Sequence, residues 1–121
     1  MRQDHRHSLG QNGEDLAANF LEKKSYSILT KNFRTPYGEI DLIARQANTI
    51  VFVEVKTRKS RSLGPPEISI TPRKIDHIRS AAEFYIQENS EKATEWRIDV
   101  ISIQLLVNEA PIIVHFENAI T

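Results

Sequence analysis

Residues 38–58, GEIDLIARQANTIVFVEVKTR, contain two apolar stretches separated by a short polar segment. The stretches 39–45 and 49–58 are rich in Ile, Val and Phe, which are typical of β-strands. Asn tolerates the positive φ that a two-residue hairpin turn requires, so a turn at Ala47-Asn48 would join the two strands. The segment therefore predicts a β-hairpin in which Gln46 faces Thr49 and Asp41 faces Glu54.

The hairpin is predicted to have one apolar face and one mixed face, because side chains alternate across a strand. The apolar face comprises Ile40, Leu42, Ala44, Val51, Val53 and Val55. The mixed face comprises Glu39, Asp41, Ile43, Phe52, Glu54, Lys56 and Arg58. The mixed face is apolar near the turn and charged at its far end. We expect the functional residues of the hairpin to lie at this charged end.

Asp41 and Glu54 would bring two carboxylates together on neighbouring strands, with Cβ atoms about 4.5–5.5 Å apart. A divalent cation relieves such repulsion, and Mg²⁺ prefers carboxylate oxygens. Lys56 would project from the same face about 6.7 Å along the strand from Glu54. This arrangement suits metal-assisted hydrolysis of a phosphodiester. The alternative is a polar, solvated face, with Glu39 and Lys56 forming an ordinary cross-strand ion pair.

The bulk composition indicates one small domain. The chain has 121 residues, with a hydrophobic share of 40% and a charged share of 26%. The 16 basic residues balance the 16 acidic ones, so a nucleic-acid partner has to be argued from local charge. There is no cysteine, and the start of the chain lacks the apolar core of a signal peptide. We expect a cytoplasmic protein without a membrane partner, with a frayed tail at 1–8 and one domain at 9–121.

The remaining elements follow from periodicity and turn residues. A first helix is predicted at 9–24 and a strand at 26–33. A loop at 59–70 leads to a second helix, with Thr71 as N-cap and Pro72 as first residue, which ends near Asn89. Strands at 96–105 and 112–116 complete the order α-β-β-β-α-β-β. The predicted fold is α/β, a mixed sheet flanked by helices.

Four segments resemble the YraN-like family of small bacterial proteins: GEDLAANFLEKKSYSILTKNFR (13–34), GEIDLIA (38–44), VFVEVKTR (51–58) and RIDVISI (97–103). The resemblance covers roughly residues 10–105. It implies a restriction-endonuclease-like fold of the PD-(D/E)xK superfamily, similar to Holliday junction resolvases.

The resemblance also assigns roles to residues of the hairpin and the first helix. Asp41 matches the first metal-binding acid of the motif, Glu54 the second acid and Lys56 the lysine. Glu14 matches the acid that resolvase-like members add to the metal site from the first helix. Ile40 stands where the motif name has a proline.

Basic residues near the hairpin are candidates for binding a phosphate backbone. Those predicted to contact nucleic acid are Arg58, Lys59, Arg61, Arg73 and Lys74. Cations near the start of the second helix oppose its dipole, which hints at an anionic partner. The alternative is that these charges only form solvated surfaces. Outside this group, Arg97 and Asp99 are interpreted as a structural ion pair, and His115 as an ordinary strand residue.

The leading hypothesis is a Mg²⁺- or Mn²⁺-dependent endonuclease that acts on DNA rather than RNA, including branched or structured DNA. Asp41, Glu54 and Glu14 would hold the metal, and Lys56 would assist the attacking water. A homodimer would suit cleavage of a symmetric junction. The first alternative is a nucleic-acid-binding module that lacks catalysis. The second is a subunit that joins a larger complex through a sheet edge or an apolar patch.

Overall fold

The computed structural model describes residues 5–59, 70–89 and 95–120 of the chain, with side chains from residue 12 onward. The elements are α1 (His5–Lys23), β1 (Ser27–Thr35), β2 (Gly38–Gln46), β3 (Thr49–Lys59), α2 (Pro72–Asn89), β4 (Glu95–Leu105) and β5 (Ile112–Ile120). The predicted order α-β-β-β-α-β-β is therefore confirmed. Helix α1 begins at His5, so residues 5–8, predicted as a frayed tail, are helical. Residues 1–4 of the predicted tail and residues 60–69 of the predicted loop lie outside the described residues.

The five strands form one sheet in the order β1-β2-β3-β4-β5. Three of the neighbouring pairs are antiparallel, and β3 and β4 are parallel. Parallel neighbours need a crossover connection, and α2 lies in the segment that joins β3 to β4. The sheet is thus mixed and flanked by helices, as the sequence predicts.

Both faces of the sheet are covered by apolar side chains. On one face, residues of α1 such as Leu21 pack with Leu42, Val51 and Val53. On the other face, residues of α2 such as Ile78 pack in a second cluster with the apolar half of the predicted mixed face, Ile43 and Phe52. The two helices therefore lie on opposite faces of the sheet.

One side-chain orientation in the predicted hairpin is wrong. Ile40 was predicted on the face of Leu42, but it packs in the α2-side cluster with Phe52. The reason is that β2 pairs with β3 only as far as Leu42–Val53, whereas it stays paired with β1 to Gly38. The paired residues of β1 and β2 also skip Asn32 and Asp41, and Asn32 takes a positive φ of 53°, so regular alternation is interrupted at Asp41.

The hairpin turn has the predicted length. Gln46 pairs with Thr49, which leaves Ala47 and Asn48 as the two loop residues. Ala47 takes the positive φ of 52°, a conformation that an alanine adopts only at a cost. The turn therefore fixes the register that brings Asp41 toward Glu54.

Helix α1 lies very close to β3 at Gly13. A Cβ atom built on Gly13 would overlap the Thr57 hydroxyl oxygen and lie 3.1 Å from the Thr57 Cβ. Only a residue without a side chain permits this approach. The contact places the next residue of the helix, Glu14, near the charged end of the hairpin.

Helix α2 begins as predicted. The backbone N–H of Lys74 donates to the Thr71 hydroxyl over 3.2 Å, and the Ile75 N–H donates to the Thr71 carbonyl over 3.0 Å. Thr71 is thus the N-cap, and Pro72 is the first helical residue. Within the part of the chain that the structure describes, neither helix combines the length and apolarity needed to cross a membrane.

Candidate active site

Asp41 lies where β2 parts from β3, one residue beyond the last paired residue, Leu42. Its Oδ2 atom accepts a hydrogen bond of 2.8 Å from the backbone N–H of Val55. The carboxylate thereby satisfies a strand N–H at the point where the pairing between β2 and β3 stops. This bond fixes the Asp41 side chain next to the backbone of residue 55 and so beside Glu54.

The neighbouring acid raises the pKa of Asp41. Burial of the Asp41 carboxyl is the largest cause, and the negative charge of Glu54 and a hydrogen bond with Glu54 add to it. The Val55 N–H acts in the opposite direction, but the pKa still rises from 3.8 to about 8. Asp41 therefore retains its proton near neutral pH. The predicted crowding of these two acids is therefore present in the fold.

Glu54 has a cationic partner from a distant part of the chain. The Lys74 ammonium nitrogen, in the first turn of α2, lies 3.4 Å from Glu54 Oε2. The Glu54 side chain is 10% exposed, whereas that of Lys74 is 45% exposed. The sequence predicts Lys74 as a phosphate contact, and the structure shows that it also reaches the acid pair.

Glu14 lies at the edge of the same site. Burial raises its pKa, as do the charges of Glu39 and Asp15, while a hydrogen bond with Asn32 lowers it. The charge of Glu14 in turn contributes to the raised pKa of Asp41. Asn32 takes a positive φ of 53° on β1, and sequence analysis did not single it out. Glu14 thus contributes negative charge to the site while hydrogen-bonding to β1.

The donor set fits a hard divalent cation that keeps several waters. Asp41 and Glu54 offer carboxylate oxygens on adjoining strands, and such a cation would remove the repulsion that raises the Asp41 pKa. Within residues 5–59, 70–89 and 95–120, no group of three or more His, Cys, Asp or Glu side chains is arranged to hold a metal. Asp41 and Glu54 would thus supply two ligands, and Glu14 would have to move to become a third.

The residues that follow Glu54 on β3 extend the site along the strand. Lys56 and Arg58 are both half-buried and alternate onto the side of the strand that carries Glu54. The Nε and Nη2 atoms of Arg58 are buried and have no hydrogen-bond partner among the described residues. Buried guanidinium donors without an acceptor are costly, so an oxygen ligand would satisfy them.

The other predicted contacts are more dispersed. Lys59 and Arg73 are exposed, and Arg61 lies outside the described residues. Glu39 forms an ion pair of 3.8 Å with Arg34 on β1. The expected opposition of Glu39 to Lys56 lies beyond the paired part of β2 and β3, which ends at Leu42.

A buried polar network lies at β4 and β5, and sequence analysis found only part of it. The predicted ion pair is present, with Arg97 Nε 3.0 Å from Asp99 Oδ1. Arg97 also donates to the Tyr26 hydroxyl over 2.7 Å. The His115 ring lies 2.7 Å from the second Asp99 oxygen and is 3% exposed, so it is a buried partner of Asp99 and not an ordinary strand residue. Burial by itself would raise the pKa of Asp99, but the hydrogen bonds of His115, Arg97 and the Asn118 N–H hold it below its usual value.

Comparison with known proteins gives one consistent result. Residues 13–103 match the family described as Uncharacterised protein family UPF0102. A UPF0102 protein of Syntrophomonas wolfei is 50% identical over 95 residues, which cover 78% of this chain and 83% of the relative. A UPF0102 protein of Geobacter sulfurreducens is 44% identical over 115 residues, 95% of this chain and 90% of the relative. The chain therefore belongs to the UPF0102 family, the YraN-like family of the restriction-endonuclease-like superfamily.

Proposed function

We propose that this protein is a divalent-metal-dependent endonuclease that hydrolyses phosphodiester bonds in DNA, with Mg²⁺ or Mn²⁺ as its cofactor. The observation that carries the proposal is the pairing of Asp41 with Glu54. The Val55 N–H fixes the Asp41 carboxylate, and burial together with the adjacent Glu54 raises its pKa to about 8. Like charges held this closely on a sheet are destabilising without a cation, which argues for a binding function.

In this proposal, Asp41 and Glu54 hold the ion. Glu14 adds negative charge and approaches the ion from α1. A divalent cation at this position would supply Lewis-acid activation of water and offset charge on the phosphate. Asp41 Oδ2 is already engaged by Val55, so its other oxygen is the one available to a cation.

Lys56 and Arg58 act on the substrate side of the site. Lys56 orients the attacking water and stabilises negative charge that develops on the phosphate. The two unpartnered Arg58 nitrogens are buried, and once uncovered they would donate to phosphate oxygens of the strand being cut. Lys59, Arg61, Arg73 and Lys74 add contacts to the backbone, which hold DNA without reading its sequence.

The experiment is cleavage of supercoiled plasmid and of a four-way DNA junction in Mg²⁺ or Mn²⁺. The variants are Asp41→Asn and Glu54→Gln, which retain side-chain volume and the capacity for hydrogen bonding. Asp15→Asn serves as the matched control, because Asp15 is an exposed acid that pairs with Lys31 over 3.3 Å. We expect wild type and the control to cleave and both site variants to lose activity.

Two other outcomes would change the assignment. Equal cleavage by wild type, Asp41→Asn and Glu54→Gln would show that the acid pair is not the active site. Salt-sensitive DNA binding without cleavage by any of the proteins would favour the non-catalytic binding module. Duplex RNA as a parallel substrate decides between DNA and RNA, and gel filtration with the junction measures whether two chains bind together.

A further inference from the structure

Lys74 is the described cation that reaches the acid pair from another element. Its ammonium nitrogen lies 3.4 Å from Glu54 Oε2. The position is set by the start of α2, where Thr71 caps the helix through a 3.2 Å hydrogen bond from the Lys74 N–H. The long side chain then extends from the helix across to β3.

Stabilisation of the fold is a poor explanation for the Lys74–Glu54 ion pair. A lysine in the first turn of a helix opposes the helix dipole. The Lys74 side chain is 45% exposed, and solvent screening weakens its attraction to Glu54. What the ammonium does provide is a positive charge beside a carboxylate that is only 10% exposed.

A divalent cation at Asp41 and Glu54 would compete with Lys74 for the negative charge of Glu54. Both cations are attracted to Glu54 Oε2, and their mutual repulsion at this distance disfavours simultaneous binding. Lysine has a flexible four-carbon stem, so its ammonium can leave Glu54 without movement of α2. Once released, the Lys74 ammonium would remain near the two acids, where a DNA phosphate would be its anionic partner.

We propose that Lys74 is a displaceable counter-ion, which holds Glu54 in the metal-free protein and transfers to a DNA phosphate when the metal binds. This inference rests on the proposed metal site. Metal binding and DNA binding would then favour each other. The metal displaces Lys74 from Glu54, and the DNA phosphate keeps Lys74 away from Glu54. Lys74 is thus a positioning residue that couples the two ligands.

The first measurement is calorimetric titration of Mn²⁺ into wild type, Lys74→Gln and Lys23→Gln. Lys23 is the matched control, since it is an exposed lysine in the last turn of α1 and lies nine residues beyond Glu14. We expect Lys74→Gln to bind Mn²⁺ about twofold to fivefold more tightly than wild type, the range set by loss of an ion pair with a half-exposed lysine. Lys23→Gln is expected to match wild type.

The second measurement is junction-DNA affinity with and without Ca²⁺, which shares the preference of Mg²⁺ for oxygen ligands. Wild type is expected to bind DNA more tightly when the ion is present. Lys74→Gln should lose most of this gain, because it has no ammonium to release. Arg73→Gln, an exposed neighbour on α2, should weaken DNA binding to the same extent with and without the ion.

The outcomes separate this inference from the proposed function. If wild type binds Mn²⁺ and Lys74→Gln binds it with equal or lower affinity, the counter-ion role is refuted while the metal site stands. If neither protein binds Mn²⁺, the metal site is refuted and the counter-ion role with it. The inference is supported if Lys74→Gln, but not Lys23→Gln, binds Mn²⁺ more tightly than wild type. It also requires that Ca²⁺ raise the DNA affinity of Lys74→Gln less than that of wild type.

Discussion

Asp41→Asn should change how the stability of the metal-free protein depends on pH. The folded protein holds the Asp41 proton up to a pKa of about 8, whereas the unfolded chain releases it near the ordinary value of 3.8. Between these values the folded state binds more protons than the unfolded state, so the free energy of unfolding falls as pH rises. The contribution is fully present below pH 4 and is lost by about pH 8.

The size of the effect follows from the pKa difference. One bound proton changes the free energy of unfolding by about 1.4 kcal/mol per pH unit, or about 4 kcal/mol between pH 5 and pH 8. Asp41 belongs to an interacting pair of acids, so replacing it alone is expected to remove only part of this dependence. We expect wild type to lose about 2 kcal/mol more than Asp41→Asn over this range.

The assay is urea denaturation in EDTA at pH 5, 6, 7 and 8, with Asp15→Asn as the control. Asp15 is an exposed acid on the same helix as Glu14, and its variant should follow the wild-type curve. Parallel curves for wild type and Asp41→Asn would refute the reasoning, since they would show that no proton is held at Asp41. Adding Mn²⁺ at pH 8 should stabilise wild type and leave Asp41→Asn unchanged.

Three further variants test the fold around the site by denaturant unfolding. Gly13→Ala should lower the free energy of unfolding by about 1–3 kcal/mol, because the new Cβ meets Thr57, and Thr57→Ala in the same chain should recover part of the loss. Ala47→Asn should raise it by about 0.5–1 kcal/mol, because Asn tolerates the positive φ at this turn, and an unchanged or lower value would contradict this. Asp99→Asn should lower the free energy of unfolding by about 2–4 kcal/mol at pH 7, because it removes the negative charge that His115 and the other buried partners of Asp99 contact. A loss below about 1 kcal/mol would contradict that role.

The hairpin and its acid pair could be predicted because the information lies within one short segment. The two-residue turn fixes the register, and alternation then places Asp41 and Glu54 at the same end. Alternation fails at Ile40, since β2 has left β3 there and no sequence pattern marks the point of separation.

Contacts between distant elements could not be predicted in the same way. The Lys74–Glu54 ion pair depends on where α2 rests across the sheet, which the helix periodicity does not specify. The Glu14–Asn32 hydrogen bond depends on a positive φ on β1, and the burial of His115 depends on the packing of α1 residues over β5. In each case a side chain of ordinary type acquires its role from a neighbour far away in sequence.

The hydrogen bond from Val55 to Asp41 ties the register of the hairpin to the chemistry of the site. If β2 slipped by one residue along β3, the carboxylate would turn to the opposite face and the Val55 amide would lose its acceptor. Insertion of a single residue at Ala47-Asn48 would therefore displace the proposed cation ligand and weaken the sheet at the same time. In this hairpin, the aspartate that would bind the metal also stabilises the observed strand register.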